Sequence, residues 1–187
     1  MAFTALFDAC VLFPAPLRDL LMTLAETNLF RARWSAEINA EWFNGILRTR
    51  PELDVPLRRT IDLMNGAVPD CLVTGYESLI GALNLPDPDD RHVLAAAIVG
   101  HADVIVTKNL RDFPASTLSA YGIEAQHPDV FVCHLFDLAE PAAMAAVREV
   151  RGRLVNPPVS VEDYLDTLSR QELPETVAFL RERSALI

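Results

Sequence analysis

Apolar positions along this chain fall into short continuous runs and longer spaced stripes. Phe3 to Phe7 is an apolar run interrupted only by Thr4 and closed by Asp8. It reads as a central strand buried on both faces, with Asp8 at its C-terminal end. Behind Pro14 and Pro16, which suit a helix entrance, Leu17, Leu20, Leu21 and Leu24 keep helical spacing to about Thr27. Leu29 to Trp34 reads as a second strand, with Arg31 and Arg33 facing away from its apolar positions. Ser35 is a good N-cap for a helix over 36–47, whose stripe is Ile38, Trp42, Phe43, Ile46 and Leu47. Asp54 to Gly66 reads as another helix stopped by its glycine, Cys71–Thr74 as a short strand, and Tyr76–Leu83 as a short helix.

The stretch from Leu85 to Pro114 organises the rest. Asp87, Asp89 and Asp90 open an apolar helix that ends near Gly100. Asp87 followed by Pro88 fits an N-cap and N1, which places Asp90 at N3, where its side chain can reach back to the cap. One carboxylate suffices for capping, and here there are three in four residues. Ala95-Ala96-Ala97 lets the helix lie close to a sheet. Val104 to Val106 is a second central strand, and Asn109 and Asp112 lie beyond its C-terminal end. A short helix over Thr117–Tyr121 and an edge strand over Gly122–Ala125 follow. From Pro128 the pattern becomes helical only: Val130–Leu138, Pro141–Leu154, Val161–Ser169 and Pro174–Arg183. No Gly/Ser linker precedes them. The expected organisation is an α/β unit over 1–127 and a helical extension over 128–187 packed on or adjoining it.

Composition narrows the class. At 187 residues, 51% hydrophobic and 22% charged, the chain has enough apolar residues for one sizeable core. A net charge of −10 argues against nucleic-acid binding through a broad basic surface. It leaves room for phosphate contacts made through metal ions and a few arginines. Lys108 is the one lysine, against fifteen arginines. Cys10, Cys71 and Cys133 are odd in number, far apart and without metal-knuckle or redox spacing, so free thiols in a reducing compartment are expected. The apolar N-terminus is broken by Asp8, followed by prolines and preceded by no basic flank. It reads as neither a signal peptide nor a span, so the cytoplasm is expected and no membrane.

Four acids from four segments, Asp8, Glu41, Asp90 and Asp112, can meet at one sheet edge, with Asn109 beside Asp112. Successive βα units return to the same edge of a parallel sheet. Glu37 lies one turn from Glu41 and is the alternative second acid. Two carboxylates about 4 Å apart cost ~4 kcal/mol at an effective dielectric near 20, against a total stability of about 5–15 kcal/mol. Protonation or a divalent cation must relieve such a cluster. Oxygen donors without a His/Cys set favour Mg²⁺ or Mn²⁺ over Zn²⁺, and such ions suit phosphoryl chemistry. Arg91, Lys108 and Arg111 flank the acids and could hold phosphates, although solvent or salt-bridge roles stay open. His92 reads as a packed or solvated histidine, and no histidine is assigned as general base.

Phe7-Asp8-Ala9-Cys10, Ile38 to Leu47 around Glu41, Asp90-Arg91-His92-Val93-Leu94-Ala95-Ala96-Ala97, and Val104 to Phe113 with its Thr-Lys-Asn-Leu-Arg-Asp-Phe segment together resemble the PIN-domain family. The likeness is to toxin ribonucleases of bacterial toxin–antitoxin pairs of the VapC type, over roughly residues 1–125. It implies a Rossmann-like three-layer α/β/α sandwich with a central parallel sheet, here with additional C-terminal helices. It also implies an endoribonuclease dependent on Mg²⁺ or Mn²⁺, an RNA substrate, a cognate antitoxin covering the site, and often a homodimer. Position by position, Asp8, Glu41, Asp90 and Asp112 match the family's four acids, as catalytic groups and metal ligands. Asn109 matches a polar position that contributes in some members. Asp87 and Asp89 have no firm counterpart, and the helices beyond 128 exceed a minimal toxin. The alternative is a catalytically silent scaffold of this fold that binds RNA or a protein. A haloacid-dehalogenase phosphatase would need an aspartate where Cys10 stands. A nucleotide-binding Rossmann protein would need glycines between Ala9 and Pro16, and a transcriptional regulator would need a basic recognition helix.

Overall fold

The structure is a computed structural model describing residues 2–187. Its strands are β1 (Thr4–Phe7), β2 (Arg31–Ser35), β3 (Leu72–Val73), β4 (Val104–Val106) and β5 (Glu124–Gln126), in the order β3-β2-β1-β4-β5. Every pairing is parallel, and Phe7 stands level with Val106 across β1 and β4. The chain runs outward from β1 through β2 to β3, then returns to the far side of β1 for β4 and β5. Its direction therefore reverses between β1 and β4, which is where open parallel sheets form a crevice beyond their carboxyl ends. β1 and β4 are buried along their whole length, as their unbroken apolar runs require.

The helices are α1 (Ala9–Leu12), α2 (Ala15–Glu26), α3 (Ala36–Leu47), α4 (Asp54–Ala67), α5 (Glu77–Ile80), α6 (Arg91–Val99), α7 (Ala115–Leu118), α8 (Pro128–Arg153), α9 (Val161–Arg170) and α10 (Pro174–Glu182). Ser35 caps α3 by accepting from the Ile38 amide at 3.1 Å. Two expectations need correction. Gly66 does not stop α4, which continues to Ala67. Asp90 does not reach back as part of a cap: Asp87 caps a separate 3-10 turn, Pro88–Asp90, and α6 starts only at Arg91, without a side-chain cap bond from Asp90. The Asp90 carboxylate is thus left for other work. The break expected between Leu138 and Pro141 is present: Ala139 leaves helical geometry (φ −157°, ψ 71°) two residues before Pro141, so α8 is two helical segments joined across a kink, as the proline ring requires where it meets the preceding turn. Gly100 ends α6 in an ordinary right-handed conformation. It is glycine because a Cβ there would lie 2.9 Å from both Val73 Cγ2 and the Ala96 carbonyl.

The C-terminal helices share the core of the sheet. Phe131 on α8 packs edge-on against Phe3, Phe7 and Phe30 at centroid distances of 6.1, 6.1 and 5.0 Å, while Phe7 stacks on Trp34. By length and composition α8 is apolar enough to cross a membrane. Its buried side, including Phe131, Val132, Leu135 and Phe136, belongs to this core. α8 packs against α2 and α10. The buried carboxylate of Asp129 accepts from the amides of Glu175 and Thr176 at 2.9 and 2.8 Å, satisfying the first turn of α10 from another helix. Phe131→Ala is expected to cost about 3–5 kcal/mol, a cavity under the central strand rather than loss of a peripheral contact. Urea unfolding of the full chain measures it, and a loss near zero would show that α8 does not share this core.

Candidate active site

Asp8 follows β1 directly, and its amide still pairs with the Val106 carbonyl at 3.1 Å, so the carboxylate is held at the β1/β4 crevice. It is 4% exposed. Thr107, the first residue past β4, donates its hydroxyl to Asp8 Oδ2 at 2.7 Å, and Cys10 Sγ lies 3.0 Å from the same oxygen. The Thr107 hydroxyl in turn accepts the Asn109 amide at 2.9 Å, turning the chain beyond β4, and Asp112 closes that turn through its amide on the Asn109 carbonyl at 3.0 Å. Burial, and then the charge and hydrogen bond of Asp8, push the Cys10 thiol up to about 12. In the free protein Cys10 acts as a hydrogen-bond donor to Asp8.

Asp90 stands opposite, at the start of α6. Partial burial is the largest influence on it, followed by repulsion from Asp8, Asp112, Asp87 and Glu41; together they raise its carboxyl from 3.8 to about 7. Three of the sequence-predicted acids, Asp8, Glu41 and Asp112, thus lie within electrostatic reach of the fourth, Asp90, as does Asp87. Glu37 points to another partner. It accepts from the Tyr76 hydroxyl at 3.2 Å instead.

The two glutamates are separated by a residue not counted among the site candidates. His92, 4% exposed, places Nε2 2.8 Å from Glu41 Oε1 and Nδ1 3.7 Å from Glu37 Oε2. Burial alone would lower its pKa. The hydrogen bond and charge of Glu41, then Glu37 and Asp8, outweigh it and the net shift is upward. His92 is a buried imidazole that holds Glu41 in place from the neighbouring helix through the 2.8 Å contact. Its sequence signal was slight: a histidine two positions after Asp90 on the same helix. The partner glutamate is 51 residues away.

The basic candidates are placed unequally. Arg111 and the Asn109 side chain are exposed beyond β4. Arg91 is half-buried, and its Nε is buried without a hydrogen-bond partner. Lys108 has a side chain only 17% exposed and lies 3.4 Å from Glu172, in the turn between α9 and α10, so the C-terminal helices reach the rim of the site.

Among the described residues no three His, Cys, Asp or Glu side chains are arranged to hold a metal ion by themselves. The donor chemistry nevertheless suits a hard cation: carboxylate oxygens, a thiol kept protonated, and an imidazole already engaged by Glu41. Mg²⁺ in particular binds through one or two carboxylates and completes its shell with water and phosphate oxygens.

A PIN-domain family model matches residues 4–111, and a model described as the VapC50 C-terminal domain matches residues 128–182. The chain is 42% identical over 107 residues to "Putative ribonuclease VapC50" of Mycobacterium tuberculosis (strain ATCC 25618 / H37Rv). That alignment covers 57% of this chain and 62% of the relative, so the chain spans less than two thirds of that relative's length. No solved structure matches.

The crowding of acids has a direct consequence for stability. An unfolded Asp90 ionises near 3.8 and the folded one near 7, so the folded state is progressively penalised as pH rises through that window and stays penalised above it. Asp90→Asn is expected to melt above the wild type at pH 8 in EDTA, with the gap closing towards pH 4. Parallel melting curves across the range would contradict the crowding.

Proposed function

Because the chain belongs to the PIN-domain family, whose model spans 4–111 of its 187 residues, we propose that it is a divalent-metal-dependent endoribonuclease, the toxin of a bacterial type II toxin–antitoxin module. The observation that carries this reading is the convergence of Asp8, Glu41 and Asp112 on Asp90 at the β1/β4 crevice. Asp8, Asp90 and Asp112 would hold Mg²⁺ or Mn²⁺, with Glu41 as the fourth acid. A cation bound there supplies a water of lowered pKa and offsets charge on the scissile phosphate oxygens.

The chain's own residues set the geometry. Both side-chain donors to Asp8, among the described residues, fall on Oδ2, which leaves Oδ1 for an external ligand. His92 fixes the rotamer of Glu41, and this favours Glu41 over Glu37 as the second acid. Arg111 and Asn109, exposed beyond β4, are suited to phosphate and ribose contacts. Lys108 lies at the same rim, with Glu172 occupying its ammonium in the absence of RNA. A net charge of −10 argues against a broad basic footprint, so RNA is gripped locally, at the acids and these few donors. A cognate antitoxin is the proposed protein partner, and the three free cysteines fit a reducing cytoplasm.

Purified protein free of any partner should cleave a pool of structured RNA with Mn²⁺ or Mg²⁺ but not in EDTA, and Asp8→Asn and Asp90→Asn should abolish cleavage. Failure to cleave in every condition, together with failure to bind metal, would move the protein to the non-catalytic scaffold. Saturating Mn²⁺ at about a hundred times its Kd should stabilise the fold by ~2.7 kcal/mol, read as a rise in Tm that Asp90→Asn loses. His92→Ala should lower turnover roughly ten- to a hundredfold, the usual effect of removing a group that orients a site carboxylate, while His92→Gln, which can still donate to Glu41, should recover part of it.

A further inference from the structure

A cavity of about 320 Å³ adjoins the acids, lined by Ala9, Cys10, Phe13, Glu41 and Trp42. We propose that it is a stacking subsite for one unpaired nucleobase of the RNA, flanking the scissile phosphate, with the ring of Phe13 as its platform; this rests on the nuclease reading above.

Location is the first ground. Cys10 touches Asp8 and Glu41 is the acid held by His92, so the cavity shares a wall with the site. A base beside the scissile phosphate falls within its reach. Phe13 is the second. It is 44% exposed, whereas Phe7, Trp34, Trp42 and Phe113 around the sheet are all buried. Its exposure is not the product of loose packing. One side of the ring rests on α3 at Gly45, where a Cβ would lie 3.0 Å from Cε2 and 3.3 Å from Cδ2. Glycine at 45 makes the seat that fixes the ring and leaves it open towards the cavity.

Rigidity is the third ground. Arg18, buried in α2, donates from Nη1 to the Leu12 carbonyl at 2.7 Å and to the Phe13 carbonyl at 3.4 Å. Its guanidinium carbon sits 4.7 Å from the centre of the Trp42 ring. One buried cation therefore anchors both aromatic walls, and the subsite is formed before any ligand arrives. The lining also selects its occupant. No cation faces the cavity, Glu41 stands at its edge, and the Trp42 indole N–H is already used on Asn39 Oδ1 at 3.0 Å. A phosphate is repelled there, while a flat neutral ring system meets apolar and aromatic surface. Stacking of unpaired bases on aromatic side chains is how single-stranded RNA is held without a basic groove.

Full-length wild type, Phe13→Ala and Phe13→Trp are titrated in EDTA with a short fluorescein-labelled single-stranded RNA of random sequence, and their cuts are mapped in Mn²⁺. Phe13→Ala should bind roughly tenfold more weakly. Phe13→Trp should bind like the wild type, with its added indole emission quenched by the RNA. An abasic nucleotide beside the mapped cut should erase the difference between wild type and Phe13→Ala. Equal RNA affinity and an unchanged cleavage map in Phe13→Ala would overturn the subsite alone and make Phe13 a protein-contact residue. A wild type that neither binds nor cuts RNA would overturn the nuclease reading, and the subsite with it.

Discussion

The hydrogen bond from Thr107 Oγ1 to Asp8 Oδ2 joins the ends of two neighbouring parallel strands at the point where the sheet's winding reverses. Much of the molecule depends on it. A carboxylate this buried is tolerated only if its oxygens are hydrogen-bonded. Thr107 and Cys10 meet that need at Oδ2, from the turns after β4 and β1. The same threonine hydroxyl accepts the Asn109 amide, so the path of the chain towards Asp112 is set by the group that satisfies Asp8. Strand pairing, acid placement and the turn that carries Asn109 and Asp112 are one connected arrangement.

Around that bond the molecule keeps charges of one sign closer than water would allow. Asp90 carries the strain as a raised pKa. His92 meets part of it from within the protein, because its ring nitrogen lies 2.8 Å from Glu41, whose hydrogen bond and charge favour the protonated ring. The rest of the offset must come from solution, as protons or as a hard cation. A site of this kind is stabilised by the ligand it needs, and its cost in the free protein is tied to its use.

The helices after residue 127 are bound into this economy of contacts at several points. Phe131 completes the aromatic cluster under β1, Asp129 satisfies the start of α10, and Arg153 reaches Thr23 on α2 at 2.7 Å. Glu172 meets Lys108 at the rim of the acids. An exposed ion pair contributes little to stability, so its interest lies in position: it brings the C-terminal segment to the edge where RNA would lie.

Local signals were enough for the elements. The Ser35 cap and the apolar stripe behind it give α3 its observed limits, and the unbroken apolar runs of β1 and β4 announce strands buried on both faces, because capping and burial periodicity act over a few residues. The positions of Asp8, Glu41, Asp90 and Asp112 were legible for the same reason, each standing at a strand end or on a helix face that the pattern itself defines. Chain order alone could not show that Pro88–Asp90 turns separately from α6 and frees Asp90 from capping. Nor could it place His92 between Glu37 and Glu41, or seat Phe13 on Gly45. Those are decided by which side chains meet across helices and strands far apart in sequence. Their energies arise from burial and charge proximity, which exist only once the sheet has brought its carboxyl edge together.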